Sequence, residues 1–131
     1  TYMDEAAFLA VAPDGSAVYV YDEDRDEIKK YKIDHAAKTA SFITNAGGNG
    51  TKPGQFRSPV AMSCDRYGLL HVFDSGRKDV QVIDFRGSNA GPLQAWGFEK
   101  VLGQRSVEQA TAGPDALFIV GPAGGGQVYA W

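Results

Sequence analysis

The 131 residues carry a formal net charge of −3, 44% hydrophobic residues, 16 glycines and one cysteine. The acidic balance argues against a nucleic-acid partner, because phosphate contacts need a basic surface. A single cysteine excludes an internal disulfide and a cysteine-rich zinc site, and Cys64 is expected to pack as a small buried hydrophobe. No apolar run approaches the roughly 20 residues that cross a bilayer. The composition therefore predicts a soluble globular domain.

Short alternating segments follow one another along the chain. Apolar and polar residues alternate over runs of about 4–8 residues, which is the periodicity of β-strands. We predict strands at residues 8–13, 17–21, 27–34 and 39–44, then at 60–65, 69–74, 80–85 and 93–98, and finally at 107–112, 117–120 and 127–131. The last group has three strands, and residues 1–5 are too few and too polar to supply a fourth.

The three groups of strands are copies of one unit. A shift of 52 residues places Val20 on Val72 and Asp22 on Asp74, and a shift of 48 residues places Val72 on Val120. Matched residues at a fixed distance are the mark of stacked supersecondary units. We therefore describe residues 1–131 as a single domain whose units span about 6–45, 46–98 and 99–131, the third being incomplete.

Glycine and proline mark the approach to the second unit. Residues 48–59 read GNGTKPGQFRSP, residues 70–76 read LHVFDSG and residues 80–84 read VQVID. This order resembles the NHL repeat, whose pattern is roughly GxGxxPGQFxxP, then VxDSG, then VQVFD. The resemblance implies a four-stranded antiparallel blade of a β-propeller. Its motifs are specific in the second unit, whereas the first and third units are matched mainly by spacing.

Length limits how much of a propeller this chain can build. A propeller closes with roughly 4–8 blades, whereas the sequence offers about 2.75 blades. Repeat units bury their faces only against neighbours, and the last predicted strand, at residues 127–131, is apolar rather than a polar cap. We therefore expect an all-β segment of a six-bladed ring, completed by further blades, by another copy or by another protein. The alternative is an open three-bladed fold, which would expose unpaired strand edges.

Few residues suggest catalysis or metal binding. Asp22, Asp24 and Asp26 have a spacing that can bind calcium, but Glu27 stands where a calcium loop needs glycine, so we interpret this run as a solvated hairpin tip. His71 is expected to pack between blades. Neither a zinc constellation nor a Ser-His-Asp set can be assembled. We therefore predict no catalytic residue, no metal site and no cofactor.

An enzyme fragment is the alternative interpretation that the resemblance implies. Six-bladed lactonase-like and lyase-like propellers hold metal ligands on their innermost strands or at the channel mouth. On the predicted innermost strands of this chain, Glu108 is the only plausible ligand for a hard metal ion. In this alternative the channel metal would be held partly by other blades, and Glu108 and His71 would be the first positions to test.

The leading interpretation is a non-catalytic module for protein–protein interaction or assembly. Unpaired strand edges can accept a strand of a partner, and the loops between strands offer polar contacts. The basic residues Lys29 and Lys30 are interpreted as solvated surface, neutralised by the neighbouring acids. The candidate partner-binding residues are Asp22, Asp24, Asp26, Lys52, Gln55, Arg57, Arg77, Lys78, Val128, Tyr129 and Trp131.

The first residue bears on the compartment. The chain begins with Thr1 rather than Met, which fits either a processed protein or a shortened chain. Propellers of this kind in bacteria are often exported, so we expect a slight preference for an extracytoplasmic or periplasmic location.

Overall fold

The computed structural model describes residues 5–86, 90–97, 109–112, 116–120 and 126–130. These residues form antiparallel strands joined by turns. The strands are β1 Ala6–Val11, β2 Ala17–Asp22, β3 Glu27–Asp34, β4 Thr39–Gly47, β5 Pro59–Cys64, β6 Leu69–Asp74, β7 Asp79–Asp84, β8 Gly91–Gly97, β9 Gln109–Ala112, β10 Ala116–Val120 and β11 Gly126–Ala130. Within the described ranges there is no helix long and apolar enough to span a bilayer.

The strands form three separate sheets. Sheet 1 has the order β1-β2-β3-β4, sheet 2 has the order β5-β6-β7-β8, and sheet 3 contains β9, β10 and β11 with β10 in the middle. Every pair of neighbours is antiparallel and consecutive along the chain. The predicted all-β architecture of four-stranded antiparallel units is thereby confirmed.

The strand bounds agree with the sequence pattern to within a few residues. β3 and β6 have the predicted bounds, whereas β4 extends to Gly47 instead of ending at Thr44. Gly47 has a φ of 142°, and a Cβ built on it would lie 2.5 Å from the carbonyl oxygen of Asp26. The strand can continue past its predicted end because glycine allows this close approach of two backbones.

Matching turns join the first two strands of sheets 1 and 2. Gly15 and Gly68 have φ values of 72° and 82°, a backbone conformation that glycine adopts without a Cβ clash. In the first turn the Asp14 carboxylate accepts the backbone N–H of Ser16 at 2.9 Å. In the second, the Asp65 carboxylate accepts two backbone N–H groups, of Tyr67 and Leu69. Short polar side chains thus fix the positive-φ turns that the alternating strands require.

The sheets stack face to face with their first strands side by side. β1 contacts β5, and β5 contacts β9. Between sheets 1 and 2 the buried core contains Tyr19, Tyr21, Ile28, Leu70, Val72, Ile83, Phe56 and Phe85. Burying a side chain of this size contributes about 1.5–3 kcal/mol. The two sheets are therefore joined mainly by apolar packing.

Aromatic contacts cross the same interface. The Tyr19 ring centroid lies 5.3 Å from that of Phe85, and the Tyr21 ring meets Phe56 edge to face at 6.0 Å. Phe56 is fully buried and belongs to the same core cluster. The edge-to-face geometry is the one that aromatic quadrupoles favour.

The other face of sheet 2 is also buried. Ser63, His71, Phe73, Val80 and Val82 occupy it and are almost inaccessible to solvent. Residues that lie opposite each other in an antiparallel ladder share a face, and the register pairs Ser63 with His71 and His71 with Val82. Because β5 contacts β9, this face is turned towards sheet 3. His71 therefore packs between sheets, as the sequence predicts.

Candidate interaction surfaces

Three connecting segments lie together at one end of the sheets. They are turn 23–26, turn 75–78 and loop 48–58. The backbone N–H of Gly48 donates to the carbonyl of Asp26 at 2.7 Å, and an Arg77 guanidinium N–H donates to the carbonyl of Lys52 at 3.0 Å. We call this end of the molecule the loop surface. It brings together the candidate residues Asp24, Asp26, Lys52, Gln55, Arg57, Arg77 and Lys78, which are distant in sequence.

Asp26 is held by neighbours within the chain. Its two carboxylate oxygens accept the Tyr21 hydroxyl at 2.8 Å and the Asn49 side-chain amide at 3.0 Å. Burial and the hydrogen bond to Asp26 raise the pKa of Tyr21 above its ordinary value. Among the residues that the structure describes, no three His, Cys, Asp or Glu side chains are grouped so that they could hold a metal ion.

Asp74 fixes two segments of the loop surface through hydrogen bonds. Its fully buried carboxylate accepts four backbone N–H groups at 2.8–3.0 Å. Two of them, of Gly76 and Arg77, belong to the following turn. The other two, of Arg57 and Ser58, belong to the loop before β5. A carboxylate that accepts several N–H bonds is among the stronger local restraints in proteins, so one side chain fixes both segments.

Gln81 holds the middle of loop 48–58. Its side-chain carbonyl accepts the N–H of Gly54 at 2.8 Å, and its amide donates to the carbonyl of Gln55 at 2.7 Å. The Gln55 side chain in turn accepts the N–H of Lys52 at 3.2 Å. The side-chain oxygen of Gln55 therefore helps to hold the conformation of loop 48–58.

Asp22 lies in a different setting from the other candidates. It is completely buried and receives the Lys29 ammonium at 2.6 Å; Glu27 lies 3.4 Å from the same ammonium. Burial disfavours the charged Lys29, but the hydrogen bond and charge of Asp22, with those of Glu27, outweigh it and raise the pKa of Lys29. Lys29, predicted to be solvated, is thus an interior cation, because its position on β3 turns it to the face of Asp22.

The remaining candidates differ in exposure. Lys52, Arg57, Lys78 and Asp24 are exposed, whereas the Arg77 side chain is largely buried and donates two N–H groups to Asp79 at 3.0 and 2.9 Å. Val128 and Tyr129 belong to β11, which forms an edge of sheet 3. Trp131 lies outside the described residues, as does Glu108.

Sheet 1 presents a second surface, on the side away from sheet 2. The register places five apolar residues on it: Leu9 opposite Val20, Val11 opposite Val18, and Val18 opposite Tyr31. Leu9 is 60% exposed and Val11 is 54% exposed. We call these five residues the open face. A single exposed apolar residue is common, but a group on one sheet face indicates a contact surface.

His71, the candidate of the enzyme alternative, has a carboxylate partner. Its Nε2 lies 2.8 Å from an Asp65 oxygen, and both side chains are buried. Asp65 uses its other oxygen to fix the turn before β6. The pair therefore ties the middle strand of sheet 2 to its own turn.

A cleft that the sequence pattern did not predict lies at the opposite end from the loop surface. It has a volume of about 340 Å³ and opens between the turns that follow β1 and β5. Its lining includes the cationic residues Lys30, Arg66 and Arg86. These three come from separate segments of the chain, so only the packing of sheet 1 on sheet 2 brings them together. We call this site the basic cleft.

Known proteins resemble this chain in structure but not in sequence. No family model matches it, and neither does any curated protein. Luciferin-regenerating enzyme is 17% identical with a TM-score of 0.66, over 91% of this chain and 38% of the other. The Swd1 β-propeller domain from Myceliophteria thermophila is 9% identical with a TM-score of 0.69, over 96% of this chain and 40% of the other.

A third solved structure gives the same result. Regucalcin, a calcium-binding protein from Agrobacterium tumefaciens, is 17% identical with a TM-score of 0.60, over 90% of this chain and 38% of the other. Likeness at such low identity shows the fold alone, which is that of stacked β-propeller blades. The chain spans about two fifths of the length of these proteins.

Proposed function

We propose that this chain is a segment of an NHL-like β-propeller, expected to be six-bladed, that serves as a non-catalytic module for protein–protein interaction or assembly. The open face of sheet 1 is the observation that carries the proposal. It would be covered by a further propeller blade, which belongs either to a longer form of the chain or to a partner chain.

The occupant is inferred from the interface between sheets 1 and 2. Met62, Leu70 and Val72 in sheet 2 stand at the register positions that Leu9, Val18 and Val20 hold in sheet 1. In sheet 2 these positions are buried against sheet 1, and Met62 is only 5% exposed. The same pattern of apolar residues in sheet 1 suits the same kind of neighbour, a blade with an aromatic middle strand.

The loop surface supports the NHL-like part of the proposal. Phe56, in the PGQF element of the motif, is buried between the sheets, and Asp74, in the VxDSG element, binds both the preceding loop and the following turn. Phe56 and Asp74 therefore each stabilise the packing of the motif segments, which explains why these residues occur together. Exposed Lys52, Arg57 and Lys78 remain available for a protein partner.

The comparisons alone do not separate a binding module from an enzyme. The similar structures include a protein named as an enzyme and a propeller domain without such a name. Within the described residues, His71 is committed to Asp65 between two sheets, and no group of potential metal ligands accompanies it. The non-catalytic function is thus the one that the described side chains favour.

The proposal can be tested by the mass of the 131-residue chain in light scattering. We expect the unaltered chain to associate into two or more copies, and the double variant Leu9→Glu with Val11→Glu to be monomeric, because buried carboxylates without partners are costly. Tyr67→Glu is the matched control, since Tyr67 is also 60% exposed but lies on a turn at the basic cleft. A monomeric unaltered chain, or equal association of all variants, would contradict the proposal.

A further inference from the structure

The basic cleft lies between sheets 1 and 2 and needs no other blade to be complete. Lys30 comes from β3, Arg66 from the turn after β5, and Arg86 from the segment after β7. The lining also includes the apolar residues Ala12, Pro13 and Ala17. A volume of about 340 Å³ lies in the range of small-molecule sites, which combine apolar walls with a few polar groups.

Each of the three cations makes a contact that restricts its side chain. The Lys30 ammonium donates to the carbonyl of Phe85 at 2.5 Å, which leaves two of its three N–H groups for other acceptors. Arg86 binds the two oxygens of Asp84 through Nε and Nη2, both at 3.0 Å. This pairing occupies two of the five N–H groups of a guanidinium and restricts the motion of the side chain.

Arg66 is placed by Tyr67. Its guanidinium carbon lies 5.0 Å from the centroid of the Tyr67 ring, and its Nη2 donates to the Tyr67 hydroxyl at 2.9 Å. Stacking on an aromatic ring stabilises a cation and holds the planar fork of the guanidinium, whose geometry suits carboxylate and phosphate oxygens. The ring itself is 60% exposed.

The charge of the cleft is opposite to that of the whole chain. The lining contains three cations and one carboxylate, that of Asp14, and Asp84 pairs with Arg86 beside the cleft. The chain as a whole carries a net charge of −3. Asp14 accepts the hydroxyl of Ser16 at 2.6 Å, and the hydrogen bonds from Ser16 together with the charge of Lys30 lower the pKa of its carboxyl. A concentrated positive site in an acidic protein attracts a small anion.

We infer that the basic cleft binds a small organic anion with a phosphate or carboxylate group. The anionic group is bound by Lys30, Arg66 and Arg86, and the neutral part of the ligand lies against Tyr67 and the apolar wall of Ala12, Pro13 and Ala17. The site is independent of the open face and of whatever covers it.

Titration calorimetry of the intact protein at physiological ionic strength tests this inference with three probes: inorganic phosphate, phenyl phosphate and benzoate. We expect phenyl phosphate to bind more tightly than inorganic phosphate because the ring contacts the apolar wall. Tighter binding of phenyl phosphate than of benzoate assigns the cleft to phosphates, and the reverse assigns it to carboxylates. Failure of all three probes to bind would overturn the inference.

Matched variants locate the binding. Arg66→Gln and Lys30→Gln should each weaken binding of the best probe by about tenfold, the loss typical of one charge-assisted hydrogen bond. Lys52→Gln removes the same charge from the loop surface at the far end and should change the affinity by less than about twofold. Equal losses in all three variants would show general attraction to positive charge, and unchanged affinity in the two cleft variants would place binding elsewhere. Either result contradicts the inference.

Discussion

Sheets 1 and 2 are copies of one unit, yet they bury the same carboxylate position in different ways. In sheet 2, Asp74 accepts four backbone N–H groups and Gln81 holds the loop before the sheet. In sheet 1, Asp22 and Lys29 occupy the matching positions and bind each other at 2.6 Å. A buried carboxylate needs strong partners: those of Asp74 include four backbone N–H groups, and those of Asp22 include a lysine ammonium and the backbone N–H of Glu5.

The difference shows what a repeat specifies and what it leaves open. The alternation of apolar residues sets the strands of both sheets. The partners of the polar residue at the end of the second strand depend on what lies beside that strand, which is loop 48–58 for Asp74. Beside Asp22, the backbone N–H of Glu5 lies 3.4 Å from the carboxylate.

The largest effect is expected on breaking the buried pair of sheet 1. Lys29→Met leaves Asp22 as a buried charge without its cation and should lower the free energy of unfolding by about 4 kcal/mol, measured by urea denaturation. The double variant Asp22→Leu with Lys29→Met removes both charges and should lie within about 1 kcal/mol of the unaltered chain. A single variant as stable as the double variant would contradict this account of the pair.

A smaller effect is expected at the matching position of sheet 2. Asp74→Asn keeps the shape but removes the charge and replaces one acceptor oxygen by a donor, so the free energy of unfolding should fall by about 3 kcal/mol. Asp84→Asn is the matched control. Its partner Arg86 is exposed, and exposed pairs contribute less than about 1 kcal/mol. Equal losses in the two variants would show that the backbone contacts of Asp74 are unimportant.

The third comparison concerns Gln81, the counterpart of Lys29. Gln81→Leu has a similar volume but leaves the N–H of Gly54 and the carbonyl of Gln55 without their side-chain partner, which should cost about 2 kcal/mol. Asn45→Leu removes an exposed amide that binds Glu27 and should change stability by less than about 0.5 kcal/mol. Urea denaturation of both variants checks the difference, and a neutral Gln81→Leu would contradict it.

The last effect is confined to alkaline pH. Burial, followed by the charge of Asp65, raises the pKa of the Cys64 thiol from its ordinary value of 9.0 to about 12. The folded chain holds the thiol proton more tightly than the unfolded chain. The contribution of Cys64 to the free energy of unfolding is therefore fully present below pH 9 and is lost as the pH rises towards 12. Cys64→Ala should flatten this part of the stability curve. A Cys64→Ala curve parallel to that of the unaltered chain would contradict the assignment.

Local patterns explain which features the sequence could predict. The bounds of β3 and β6, the glycine turns at Gly15 and Gly68, and the bonds from Asp74 to the following turn all depend on residues close in sequence. The burial of Lys29 was missed because lysine is usually exposed. Two features of the sequence could have indicated it: Lys29 lies two residues before Tyr31 on β3, on the same face of the strand, and it matches Gln81 in the second unit.

Features made by distant segments could not be predicted in the same way. Arg57 and Ser58 bind Asp74 from 17 and 16 residues away, and the basic cleft joins three segments through the packing of two sheets. No spacing in the sequence encodes such proximity. The residues of the loop surface were named as candidates because they lie in turns between strands, whereas the meeting of these turns at one end was not predicted.

Hydrogen exchange followed by mass spectrometry tests most directly the claim that the open face of sheet 1 binds a further blade, just as the matching face of sheet 2 packs on sheet 1. The measurement compares the 131-residue chain at concentrations below and above its association. We predict that amides in peptides covering β1 and β2 gain protection on association, while those of β5 and β6, already covered by sheet 1, do not change. Equal changes in both pairs of strands, or no change in β1 and β2, would contradict the account.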